Sequence, residues 1–162
     1  MPLERPVLLI NLIAMKILRT DQNNKEFKKL VVELNKELEI IDGPYHTFYS
    51  QFNGIETLKQ VVIVYEKDKA IGCGGFKFIQ ENVVEIKRMF VLPSQRKKGI
   101  AGFVLKEIEA WAKELGCLKC ILETGKNLPN AVNLYTKNRY LRIPNYEPYV
   151  DIDNSLCFEK HL

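Results

Sequence analysis

Histidine is nearly missing from this 162-residue chain: only His46 and His161 occur, the second beside the last residue. A Ser-His-Asp or Cys-His catalyst would have a single usable imidazole, His46. No H-E-x-x-H and no cluster of Asp, Glu and His with metal-ligand spacing is present, so no metal is expected. Cysteine is sparse too. Cys117 and Cys120 form a lone C-x-x-C, without the second pair that zinc requires and closing a helix where a redox motif would open one. With Cys73 and Cys157 they read as reduced, structural thiols of a cytoplasmic protein. Neither sign of charge dominates: 24 Lys and Arg against 20 Asp and Glu leave +4, which is weak for a nucleic-acid partner. The apolar stretch Val7–Ala14 is too short to span a bilayer, and Glu4 offsets Arg5 where a signal peptide would be clearly basic. There is no repeat, low-complexity tract or linker. What remains is one soluble domain over residues 15–162, preceded by a leader over residues 1–14. That leader reads as an upstream start, an expression remnant, or an added strand that packs elsewhere.

The rest of the chain is organised around Glu85–Leu115. Val83, Val84, Ile86, Met89, Phe90, Val91 and Leu92 form an apolar, partly β-branched run that Pro93 stops, which predicts a strand. Ile100, Phe103, Val104, Ile108, Trp111, Ala112 and Leu115 then recur at three- and four-residue spacing, the buried face of a helix. Between them lies Arg96-Lys97-Lys98-Gly99-Ile100-Ala101-Gly102. A helix opening carries unpartnered N–H groups and the positive end of the macrodipole. Gly99 and Gly102 allow close backbone approach, and three cationic side chains surround them. The combination suits an anion, phosphate above all.

Upstream, Met15–Arg19 begins a first strand, and Thr20 or Asp21 can cap a helix with the stripe Phe27, Leu30, Val31, Leu34 and Leu38. Asp42-Gly43-Pro44 breaks it. Tyr45, His46, Phe48, Tyr49, Phe52 and Asn53 follow as a short helix or lid, either packing on the core or walling a pocket. Val61–Tyr65 and Ala70–Ile79 are strands around a charged hairpin, and Gly72, Gly74 and Gly75 inside the second signal close packing more than phosphate binding. Lys119–Glu123 is another strand, Pro129–Asn138 a short helix, and two strands close the chain, the last Leu156–Lys160. This is an antiparallel meander leading into a strand–helix–strand unit.

At this point the chain resembles the GNAT superfamily of acetyl-CoA-dependent N-acetyltransferases. The family's Q/R-x-x-G-x-G/A turn is matched by Arg96-Lys97-Lys98-Gly99-Ile100-Ala101, its central strand by Glu85–Val91 with Pro93. Glu123-Thr124-Gly125 matches its fifth strand, and Ala131, Leu134, Tyr135 and Lys137 the helix that follows. The resemblance covers essentially everything after the leader. It implies an α+β fold with a central, twisted, mostly antiparallel sheet of six to seven strands flanked by about four helices. Two departures are Leu128, where the family often has Asn or Gln, and Arg139, where a glycine often precedes the aromatic.

The resemblance also implies chemistry. Acetyl-CoA is the expected co-substrate, its pyrophosphate held by the amides from Lys97 through Gly102, with Arg96, Lys97 or Lys98 adding charge-assisted contacts. The backbone of Met89, Phe90 and Val91 would hold the pantetheine arm and polarise the thioester carbonyl, and Asn130 would contribute on the adenine side. The acceptor amine must lose a proton, because a free amine titrates near 10.4. Glu85, on an apolar strand, is the candidate base, directly or through water; its alternative is an ion pair with Lys87 on the same strand face. Tyr135 is the candidate acid for the departing thiolate; its alternative is an aromatic core anchor. Transfer would be direct, in a ternary complex.

The acceptor expected is a primary amine of a small molecule, with Asp42, Tyr45, His46, Tyr49 and Asn145–Tyr149 shaping its pocket. The alternatives are a protein N-terminus or lysine as acceptor, and a non-catalytic acyl-CoA sensor. No membrane or nucleic-acid partner is expected, and a homodimer is a family-level expectation.

Overall fold

The computed structural model describes residues 15–162, so the reading of residues 1–14 as a leader lies outside the described residues. In chain order the elements are β1 (Met15–Thr20), α1 (Lys25–Asp42), a 3-10 turn (Gly43–Tyr45), α2 (His46–Ser50), β2 (Gln60–Glu66), β3 (Lys69–Gln80), β4 (Val83–Val91), α3 (Ile100–Glu114), β5 (Lys119–Gly125), α4 (Pro129–Lys137), β6 (Leu141–Ile143) and β7 (Ser155–His161). The strands form one sheet in the order β1-β2-β3-β4-β5-β7-β6. Every neighbouring pair is antiparallel except β4 and β5, which the α3 crossover makes parallel. This is the mixed α and β architecture expected from the pattern.

The sheet is covered on both faces. On one, Ile100, Val104, Leu105, Ile108 and Ala112 of α3 pack with Tyr135 of α4 against Val62, Ile71, Phe76, Val84 and Ile86. On the other, Phe27, Leu30, Val31 and Leu34 of α1 cover Val61, Ile63, Cys73 and Phe90. Each such side chain, fully buried, contributes about 1.5–3 kcal/mol of transfer free energy.

The start of α1 differs from expectation. Neither Thr20 nor Asp21 caps it. Asn24 does, its Oδ1 accepting the N–H groups of Glu26 and Phe27 at 2.9 and 3.1 Å. Thr20 is still paired in β1, and a turn closed by Asn24 N–H on Asp21 O at 3.2 Å must intervene before a helix can start. At its far end α1 stops at Gly43, whose φ of 50° lies in the left-handed region.

The glycines in β3 are there for packing. A Cβ on Gly74 would overlap Met89 Sδ and lie 2.9 Å from Val104 Cγ1. β4 thus presses on β3 where only a hydrogen fits. The four cysteines are buried free thiols. Burial pushes Cys73 and Cys120 up to about 12, which excludes either as a thiolate nucleophile at neutral pH.

Candidate active site

The site begins where β4 and β5 part. They pair only through Val83–Lys119, Val84–Cys120 and Glu85–Ile121, although β4 continues to Val91 and β5 to Gly125. Beyond Glu85 the facing edges diverge, and strand-type backbone groups are left without a ladder partner. β4 also carries a bulge. Cys73 pairs with Phe90 and Gly75 with Lys87, so Gly74 alone opposes Arg88 and Met89. Val84 and Ile86 face α3, yet Phe90 faces α1 while Met89 and Val91 return to α3. One extra residue explains the change of parity, and Arg88 supplies it with a φ of 62°.

A groove of about 620 Å³ fills the gap. At one end lies the turn into α3, where Lys97 and Gly99 take φ values of 65° and 79°. Gly99 is the N-cap residue and offers no side-chain cap. Among the described residues no protein acceptor receives the amides of Lys97, Lys98, Gly99, Ile100, Ala101 or Gly102. A Cβ on Gly99 or Gly102 would meet nothing within 4 Å, so the backbone there opens outward. The cationic side chains divide. Arg96 donates Nε–H to Val91 O at 2.9 Å and Nη2–H to Glu37 at 2.7 and 2.9 Å; its guanidinium is committed to α1 and the end of β4. Among the described residues Lys98 Nζ reaches only Gln95 Oε1, at 3.0 Å. Asn130 is exposed in the first turn of α4 and lines the same end.

The middle of the groove is walled by Glu85, Met89 and Phe90 from β4, Glu123 from β5 and Tyr135 from α4. Glu85 is 5% exposed. It accepts the Tyr146 hydroxyl at 2.7 Å and has Lys87 and Lys77 at 3.8 and 3.9 Å. The Lys87 ion pair foreseen from the strand spacing is therefore present. Tyr135 is buried with its ring edge-on to Tyr140 and tilted against Phe158, at 5.7 and 6.2 Å. Burial, with Glu123 adding to it, holds its hydroxyl well above the ordinary tyrosine range, so it stays protonated. That hydroxyl makes no hydrogen bond among the described residues.

Glu123 is the residue that sequence reasoning passed over. Ser155 Oγ donates to it at 2.5 Å, and Tyr49 in turn is 2.8 Å from Ser155, with Asn154 Nδ2–H donating to Tyr49 at 3.2 Å. Burial pushes its carboxyl up to about 7; the Ser155 bond and Lys87 oppose this, while Asp42 and Glu85 add to it. The far end of the groove is formed by Asp42, Tyr49 and Tyr149, of the set expected at an acceptor pocket. Asn145 fixes the loop before β7, its Nδ2 donating to Tyr149 O at 3.1 Å and Ser155 O at 3.0 Å.

A splayed parallel pair, a bulge at the gap and an anion-ready turn at its mouth thus meet in one groove, and family comparison says what kind of protein carries it. The model of the acetyltransferase (GNAT) family matches residues 27–139. The chain belongs to that family. It is an acyltransferase by descent, 30% identical over 138 residues to an IAA acetyltransferase of Azospirillum brasilense, covering 82% of this chain and 90% of that one. Among solved structures it resembles a candidate acyl-CoA N-acyltransferase from Klebsiella pneumoniae, with 27% identity, a TM-score of 0.77 and coverage of 91% and 97%. A GNAT acetyltransferase of Elizabethkingia anophelis solved with acetyl-CoA bound shares the fold at 17% identity, a TM-score of 0.67 and coverage of 92% and 99%. Within the GNAT frame one departure acquires a structural reading. Arg139 occupies a position with φ of 69°, the conformation that a glycine there adopts without cost. Among the described residues no helix is long and apolar enough to cross a membrane.

Proposed function

We propose that this GNAT enzyme moves the acetyl group of acetyl-CoA to a primary amine of a small molecule. The observation that carries the reading is the run of six unpartnered amides, Lys97 through Gly102, at the mouth of a groove leading to the open edge of β4. A pyrophosphate supplies acceptors for those donors, and the solved relative with bound acetyl-CoA supports the choice of anion. The amides of Met89, Phe90 and Val91 would meet the pantetheine arm, with one of them donating to the thioester oxygen as it gains charge. Lys97 and Lys98 would approach the phosphates, with Arg96 bracing the turn from behind. Asn130 would meet the nucleotide end.

In the reaction the amine nitrogen attacks the thioester carbon, a C–N bond forms and the C–S bond breaks. One proton leaves the nitrogen and one arrives at the sulfur. Tyr135, held protonated within the groove wall, would give the second. Glu85 would take the first, through Tyr146 or water. A specific observation favours a second reading of that step. Glu123 is poised near neutrality and backed by the Ser155–Tyr49 relay, which suits a base working at physiological pH. Lysine or N-terminal acceptors remain the runner-up class.

The test is calorimetry with acetyl-CoA followed by thiol release across a panel of amines and peptides. Binding with turnover on small amines is expected. No heat with acetyl-CoA would end the proposal, and turnover confined to peptides would reassign the acceptor.

A further inference from the structure

Resting on the acetyl-transfer reading above, we infer that the acceptor carries a carboxylate beside its amine, and that Arg88 binds that carboxylate. Among the described residues Arg88 is the one buried arginine, 7% exposed. Its guanidinium makes a single hydrogen bond there, from Nη2 to Asn35 Oδ1, a neutral partner. Nε is enclosed without a partner, and no carboxylate of the described residues lies within ion-pair distance. Other arginines have acids: the half-buried Arg19 is paired with Glu107 and Glu114, and the exposed Arg96 with Glu37.

The nearest internal candidate for a counter-charge is Asp42 of α1. It does not play that part. The two make no ion-pair contact and attract each other only at longer range, and burial outweighs the pull of His46 and Arg88, raising Asp42 above its ordinary value. Arg88 itself is lowered to about 10, burial being the main cause. It therefore remains charged, and a buried charge with no opposite partner is costly. The backbone adds to the cost, since Arg88 holds the left-handed conformation at the β4 bulge. The bulge turns consecutive residues, Lys87 and Arg88, onto the groove. Glu123 stands across the groove on β5, while Glu85 lines it from β4 beside Lys87 and Lys77. An aminocarboxylate answers both the arginine and these acids, its carboxylate in the planar fork of Arg88 and its ammonium toward the acids.

The test compares wild type and Arg88→Gln on matched acceptors: free amino acids, their carboxamides, the decarboxylated amines and aminoalkylphosphonates. For wild type, kcat/KM should favour the carboxylate over its carboxamide by about a hundredfold, the order expected when a buried donor loses a charged acceptor. Arg88→Gln should bring the carboxylate-to-carboxamide ratio of kcat/KM to about one, whatever the change in its absolute turnover. Acetyl-CoA binding by calorimetry should be unchanged. Equal turnover of carboxylate and carboxamide by wild type, or a phosphonate taken better, would overturn the inference. Acetyl-CoA bound with no free amino acid acetylated would overturn it while leaving the proposed function intact, whereas absent acetyl-CoA binding would sink the function itself. Should Arg88→Gln not fold, Asn35→Ala and wild-type titration with N-acetylated amino acids in the presence of CoA probe the same carboxylate contact. No heat from the N-acetyl carboxylates, or heat equal to that from their carboxamides, would refute it.

Discussion

At the scale of single residues the two acids of the groove separate by their company. Glu85 is clasped by Tyr146 and flanked by two lysines, whereas Glu123 has the Ser155 hydroxyl as its hydrogen-bond partner, feels Lys87 only at longer range and lies up near 7. If Glu123 takes the amine proton, kcat/KM should rise through about pH 7, and Glu123→Gln should abolish that limb with a loss of about 10²–10⁴. Glu85→Gln should then keep the limb; the reverse outcome would restore Glu85 as base. Tyr135→Phe keeps the ring contacts with Tyr140 and Phe158 and removes only the hydroxyl. Turnover should fall about 10²-fold with acetyl-CoA affinity unchanged; equal losses in both would make Tyr135 a packing residue. The sequence displayed Glu85 and Tyr135 because each sits in a dense local motif. It hid Glu123, whose partner Ser155 is 32 residues away at the start of β7. Arg88 was equally mute, since nothing in a β-rich run announces which residue will be squeezed out as a bulge.

At the scale of elements, β4 and α3 were readable almost to their ends, because apolar periodicity and the Pro93 and Gly99 stops are local signals. The start of α1 was not: Thr20, Asp21 and Asn24 are all competent caps, and only the pairing of β1 through Thr20 decides for Asn24. The seat of β4 on β3 depends on Gly74. Gly74→Ala would drive a methyl into Met89 Sδ and bring it to 3.0 Å from Ile108 Cδ1, so a loss of about 1–3 kcal/mol is expected in urea denaturation. Because Met89 belongs to the groove wall, KM for acetyl-CoA should rise in the same variant. A stable protein with unaltered KM would show that the bulge is set elsewhere.

Across the whole molecule, stability should depend on pH through Glu123. Its carboxyl is pushed up from 4.5 to about 7 by folding, so the folded state binds that proton more tightly than the unfolded chain. The resulting stabilisation is complete below about 4.5 and fades as the pH rises through 7. Wild type should therefore lose stability relative to Glu123→Gln between pH 5 and pH 8, measured by urea midpoints; parallel curves would mean the group is not perturbed. The place of β7 between β5 and β6 was not foreseen, only the meander and the one crossover. Nor was the width of the gap between β4 and β5, since splaying is a property of two edges that no single segment encodes.

That gap has a mechanical consequence. Two sub-sheets, β1 to β4 and β5 to β7, share three ladder pairs and the Leu118 N–H to Asn82 O bond beside them, so any molecule laid along the open part of the seam is a splint. Amide protons of Leu122–Gly125 and Met89–Val91 that do not face β3 or β7 should exchange quickly in the empty protein and slow when coenzyme A lies between them. At a hundred times its dissociation constant such a splint adds about 2.7 kcal/mol, or a rise of about 5–10 °C in Tm for a chain of this size. The cofactor would then serve as an interchangeable eighth rib of the sheet, put in place and withdrawn at every turnover.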